Sequence, residues 1–243
     1  MEDQVREFLV SVMPVEHAPA HLRLAFHDAG TYDAATGTGG ANGSVVLREE
    51  LNRGGNSGWG HTCKELLAVA KEEFPTLVSW ADLVALGGAA AIQKCSGPII
   101  RIGLGRVDAT EPAPTQRLPG GYEGAAMLKR LFARMGMTVR DLVALSGAHT
   151  LGFTQRRAFT DDPWVFSNSY FRQLVELRGS LLLQTDTAML DDPELRPYVE
   201  LYARDEERFY ADFADAYSRL SWLGQERGAE TQTGAAEFTA TRR

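Results

Sequence analysis

Arg23, Phe26 and His27 stand in HLRLAFHDAG at i, i+3 and i+4, so on a helix they share one face. A cation beside an imidazole depresses the ring's basicity and leaves a neutral base at working pH. That pairing suits cleavage of a peroxide O–O bond. The base carries a proton from the near oxygen to the far one, and the cation stabilises the charge that develops. A surface arginine and a histidine near a helix end would give the same spacing, and the segment alone leaves both readings open.

Three further residues could serve such a pair. Asn56 lies in ELNRGGNSG, where a loop amide could accept a bond from one nitrogen of His27 and fix its tautomer; it could equally be an asparagine in a turn. His149, in DLVALSGAHTLG, falls near the end of an expected helix, as a metal ligand or as a satisfied core histidine. Asp186, in LLLQTDTAML, is a lone acid after an apolar run and needs a partner if buried. As the acceptor of the His149 proton it would make the imidazole a stronger donor to a metal; alternatively it caps the helix TAML, or does both.

The elements that must position these residues are helical nearly throughout. Apolar spacing predicts helices over Asp3 to Val12 and from Pro19 to Gly30. It predicts others over Leu66 to Phe74, Glu123 to Met135, Ser167 to Glu176, Pro193 to Tyr202 and Asp205 to Leu220. Ser79 to Asp82 and Thr138 to Asp141 read as capping boxes opening two more. Ile99 to Gly121, with its glycines and prolines, reads as an extended connection between two helical halves. The fold class is mainly α, with 225–243 a polar, aperiodic tail.

The bulk composition narrows the function. The chain has 243 residues, 44% hydrophobic and 23% charged, which is long enough for a substantial core and too apolar for disorder. A net charge of −7, with no Lys/Arg-rich block, argues against nucleic acid as partner. No apolar run reaches the roughly 20 residues that cross a bilayer, so no membrane is expected. Cys63 and Cys95 form no CxxC or CxxCH motif; they exclude a disulfide framework and fit a reducing compartment.

These segments also resemble a known family. RLAFHDAGTYD, GGANGS, ELNRGGNSG, VSWADLVALGG, LGRVDATEP, RLP, DLVALSGAHTLG, FSNSYF and the run from Leu181 to Gly224 follow, in order, the blocks of class I haem peroxidases. The nearest likeness is to ascorbate peroxidases and ascorbate peroxidase-related proteins, over roughly Leu22 to Leu223. The resemblance implies one domain over 1–224 with about ten helices and haem b between a distal half (1–100) and a proximal half (122–224). It makes Arg23 and His27 the catalytic pair and Asn56 the partner of His27. His149 becomes the iron ligand, Asp186 its hydrogen-bond partner, and Phe26 and Pro119 neighbours of the haem, Pro119 through the loop Arg117-Leu118-Pro119. Hydrogen peroxide and a small-molecule reductant are the implied partners. The setting implied is intracellular, chloroplast or cytoplasm, with the protein a monomer or homodimer.

The chain also departs from that pattern. Phe26 stands where ascorbate peroxidases usually have tryptophan. The family's ascorbate-binding arginine, nine residues after the proximal histidine, is Ala158 here, and its companion lysine, eight before the distal arginine, is Val15. Arg156 and Arg157 are the nearest substitutes. Ascorbate is therefore expected to be a poor or secondary donor beside small phenols. The stretch from His149 to Phe166 is short; it retains only Thr150 of the family's cation site, so no metal is expected there, and either Trp164 is the proximal tryptophan beside the histidine or the shortening brings a different residue there. Two other functions compete: a peroxidase-like structural or binding protein with weakened activity, and a metal phosphohydrolase built on His27-Asp28, for which too few other His and Asp residues are suitably spaced.

Overall fold

Several helix boundaries fall at prolines and caps that the sequence supplies. The computed structural model describes residues 1–154, 157–176 and 183–227. These fall in two units, Met1–Arg117 with the segment from Ser218, and Leu118–Tyr217. The halves expected from the sequence are 1–100 and 122–224. Arg156, and the tail beyond residue 227, lie outside the described residues.

The first unit holds α1 (Glu2–Val12), α2 (Ala18–Ala29), α3 (Arg48–Leu51), α4 (Trp59–Glu73) and α5 (Trp80–Lys94). Pro14 follows α1, Pro19 sits in the first turn of α2, and Pro75 follows α4, as proline's fixed φ and missing N–H dictate. Helix α5 is buried from Ala81 to Ile92 and packs against α1 and α2. Its small residues permit that approach. A Cβ on Gly87 would come within 3.2 Å of the His21 ring on α2.

Ser79 caps α5 by accepting from the Asp82 N–H at 2.9 Å. The expected reciprocal bond is replaced by a stronger one. Asp82 takes the buried Arg106 guanidinium at 2.8 Å and the Gly105 N–H instead. Arg106 also donates to the Ser221 carbonyl and lies 4.1 Å from the Trp222 ring, so it fastens the segment after Ser218 to this unit.

The second unit holds α6 (Ala125–Arg134), α7 (Val139–Ser146), α8 (Ser169–Glu176), α9 (Gln184–Asp191), α10 (Arg196–Arg204) and most of α11 (Glu206–Leu220). Thr138 and Asp141 complete the capping box that opens α7. An antiparallel pair, β1 (Phe153–Thr154) and β2 (Arg157–Ala158), interrupts the helices, with Phe153 opposite Ala158. Phe166, Tyr170, Phe171, Tyr202, Phe209 and Phe213 form this unit's buried aromatic core, mostly in edge-to-face pairs. The architecture is mainly α, as expected.

Candidate functional site

In the first unit, α2 delivers Arg23 and His27 one turn apart, and the Arg23 Nε–H donates to His27 Nε2 at 3.3 Å. On the far side of the ring, His27 Nδ1 lies 2.6 Å from Asn56 Oδ1. The Asn56 amide nitrogen donates to the Glu50 carbonyl at 3.0 Å, which turns the amide oxygen toward the histidine. An amide oxygen only accepts and a guanidinium only donates, so these bonds select one tautomer. The proton sits on Nδ1, and Nε2 keeps its lone pair.

Burial pushes the His27 imidazole down to about 4, helped by the charge on Arg23 and opposed by the bond to Asn56. His27 is therefore a neutral base at ordinary pH. Glu50 secures the loop behind it, pairing with Arg53 at 3.3 Å and accepting from the Ala113 N–H.

Trp59, not singled out from the sequence, completes this cluster. Its ring meets His27 edge-on at 5.5 Å, and the Arg23 guanidinium lies 5.2 Å from the ring centroid. It opens α4, whose start at Trp59 rather than near Leu66 the apolar spacing does not reveal. The Phe26 ring lies 6.4 Å from that of His27, in a tilted arrangement.

In the second unit, α7 stops at Ser146 and the chain tightens into a 3₁₀ turn, Gly147–Thr150, that presents His149. A Cβ on Gly147 would lie 2.4 Å from the Phe209 ring, so glycine lets this turn settle on the aromatic core. His149 Nδ1 bonds Asp186 Oδ1 at 2.9 Å; the acid is 1% exposed and the imidazole 34%. The same Oδ1 accepts from the Tyr170 hydroxyl at 2.8 Å, and Oδ2 accepts from the Leu183 N–H at 3.0 Å. Asp186 thus serves both as the partner of His149 and as the cap of α9.

Burial raises the Asp186 carboxyl, but His149, Tyr170 and the Leu183 N–H together outweigh it and hold the group below its usual value. As a carboxylate it accepts the Nδ1–H of His149 and leaves Nε2 with its lone pair free.

The aromatic ring stacked on His149 is Phe159, parallel within 3° at 4.7 Å. Trp164 packs on Phe153 at 5.2 Å instead, so of the two readings of this stretch it is the different residue, Phe159, that lies beside the histidine. The cause is local. The Gly152 N–H bonds the Pro163 carbonyl and the Phe159 N–H bonds the Gly152 carbonyl, a pairing that accompanies β1 and β2 and turns Phe159 to the ring. Arg117 is committed to the turn around Thr38, donating to the carbonyls of Thr31 and Thr38 at 2.9 Å each; Pro119 is half-buried. Val15 and Ala158 are half-buried and Arg157 is exposed. Thr150 Oγ1 pairs with Ser169 Oγ at 3.1 Å.

Residues 5–205 match the family described as Peroxidase. The peroxisomal L-ascorbate peroxidase 5 of Arabidopsis thaliana is 47% identical over 218 residues, covering 85% of this chain and 76% of the relative. A probable peroxisomal L-ascorbate peroxidase 3 of Oryza sativa subsp. japonica is 44% identical over 215 residues, covering 85% and 73%. The cytosolic L-ascorbate peroxidase 2 of Arabidopsis thaliana is 44% identical over 215 residues, covering 85% of each.

Proposed function

This chain belongs to the peroxidase family, and we propose that it reduces hydrogen peroxide with His27 as the proton-carrying base, Arg23 as the stabilising cation and His149 as the ligand of haem b. The observation that carries this reading is the complementary pair of tautomers. His27 and His149 each hold the proton on Nδ1 and free Nε2, one against an amide and the other against a carboxylate. A neutral amide leaves His27 a modest base for peroxide, and a carboxylate makes His149 a strong donor to a metal. The chain's own donor set therefore fits a haem.

When bound, haem b supplies a redox-active iron that accepts oxidising equivalents from peroxide and passes them to the donor. His27 Nε2 takes the proton from the near peroxide oxygen and returns it to the far one, so that water leaves. The bond from Arg23 to Nε2, long at 3.3 Å, must give way to the peroxide proton, and the guanidinium then faces the developing charge. Asn56 holds the ring in the tautomer this needs. The intact pairs support an active enzyme over a weakened structural relative, and the family match over 5–205 supports one domain across 1–224.

The named relatives are ascorbate peroxidases, and ascorbate is our proposed donor for this chain, though loosely held. Val15 and Ala158 put no cation where the family has two, so small phenols should be oxidised at least as well. The compartments in the relatives' names are peroxisome and cytosol. They support an intracellular setting, with the cytoplasm as the specific proposal, and give the chloroplast expectation no support.

Two measurements test this. His149→Ala should lose most haem affinity and the histidine-ligated spectrum; unchanged binding removes His149 as ligand. Steady-state kcat/KM for ascorbate and guaiacol should be comparable. Strongly preferred, saturable ascorbate oxidation that collapses in Arg157→Ala would show a relocated cationic site.

A further inference from the structure

Asp186 Oδ1 carries two donors at nearly equal distance, the His149 ring at 2.9 Å and the Tyr170 hydroxyl at 2.8 Å. Its other oxygen is held by the Leu183 N–H, so the carboxylate is locked and cannot turn to give each donor its own oxygen. The stacked Phe159 ring has no N–H and adds nothing to this competition. Tyr170 is fully buried, edge-on to both Phe171 and His149, and packing therefore holds its hydroxyl on the acid.

We infer that Tyr170 is a positioning residue that tempers the pull of Asp186 on His149 and so sets how strongly His149 donates to the iron. The inference rests on the assignment of His149 as iron ligand. A carboxylate oxygen that accepts a second hydrogen bond has less charge to offer the first. With Tyr170 in place, the Nδ1 proton of His149 stays closer to the ring, the ring has less imidazolate character, and the iron is easier to reduce than the His149–Asp186 pair alone would make it.

Tyr170→Phe deletes the hydroxyl and keeps the ring that packs on Phe171. In the haem-loaded protein it should lower the iron reduction potential and raise the iron–histidine stretching frequency of the reduced form. An unchanged or raised potential would overturn the inference, since loss of a merely structural bond would loosen Asp186 and weaken its pull. Asp186→Asn supplies the coupling test. In that background Tyr170→Phe should no longer shift the potential, and a persistent shift would assign the effect to general repacking. 3,5-Difluorotyrosine at position 170, a stronger donor of the same shape, should move the potential the opposite way, which covers the case that the phenylalanine variant does not fold. The two readings fail separately. Retained haem binding in His149→Ala defeats the ligand assignment, whereas lost binding there with no shift in Tyr170→Phe defeats only the role of Tyr170.

Discussion

A base that must pick up a proton from peroxide and release it again works best when it is neutral but not strongly basic. His27 meets that requirement through three neighbours of unequal effect. Burial sets it near 4, the Arg23 charge pushes the same way, and Asn56 pushes back by accepting from Nδ1. The fraction of neutral His27 is nearly complete above pH 5 and falls as pH drops through about 4. The bimolecular rate with peroxide, followed by stopped-flow absorbance, should therefore be flat from neutral pH to about 5 and decline on an acid limb near 4. Arg23→Leu removes one depressing charge and should move that limb to higher pH. His27→Leu should slow the reaction by about 10²–10⁴-fold without loss of haem. A wild-type limb near the ordinary histidine value of about 6.5 would mean that solvent reaches the ring.

At the scale of elements, what was legible depended on how many turns of chain separate the parts. Arg23 and His27 share one helix, so their spacing alone put them on one face. Thr138 and Asp141 are likewise local, and their box forms as read. Ser79 and Asp82 have the same spacing, yet only half the box forms, because a buried arginine distant in sequence outbids an N–H for the carboxylate. Asn56, His149 and Asp186 were legible as candidates, but their partners, His27 for the amide and each other for the pair, come only with tertiary contacts. Trp59, Phe159 and Tyr170 left no periodic signal. Trp59 opens a helix after a glycine without a side-chain cap, Phe159 is aimed by the β1–β2 pair, and Tyr170 is one core aromatic among several.

The turn that carries His149 shows how tightly such an element is specified. Gly147→Ala would drive a methyl into Phe209 and Phe171, and overpacking of this kind costs about 1–3 kcal/mol. Urea unfolding should show that loss, together with weaker haem retention as the turn shifts His149. A stability unchanged within error would mean that the aromatic core yields freely.

At the scale of the whole molecule, acid stability is set by buried groups that prefer to stay neutral. Burial pushes His21 down to about 4, aided by His17, and both ring nitrogens of His21 lie buried with no hydrogen-bond partner among the described residues. His27 is depressed to a similar value. Between about pH 6.5 and 4 the unfolded chain therefore binds protons at both histidines that the folded chain refuses, and stability falls as pH falls. Each histidine contributes up to about 1.4 kcal/mol per pH unit in that window. Asp28 acts in the opposite sense. Its burial, aided by the Glu50 charge, outweighs the bonds from the Gly43 and Val45 N–H groups and the more distant Arg106 charge, and raises it to about 7. Folding there holds a proton that the unfolded chain has lost, which offsets one of the two histidines. The net expectation is a loss of about 1.4 kcal/mol per unit on acidification across the window. His21→Leu removes one histidine contribution and both unpaired ring nitrogens without touching Arg23 or His27. Its urea midpoint should gain on that of the parent protein as pH is lowered from 7 to 5, at the same haem loading. Parallel curves with no widening gap would show that His21 is protonated in the folded chain as readily as in the unfolded one.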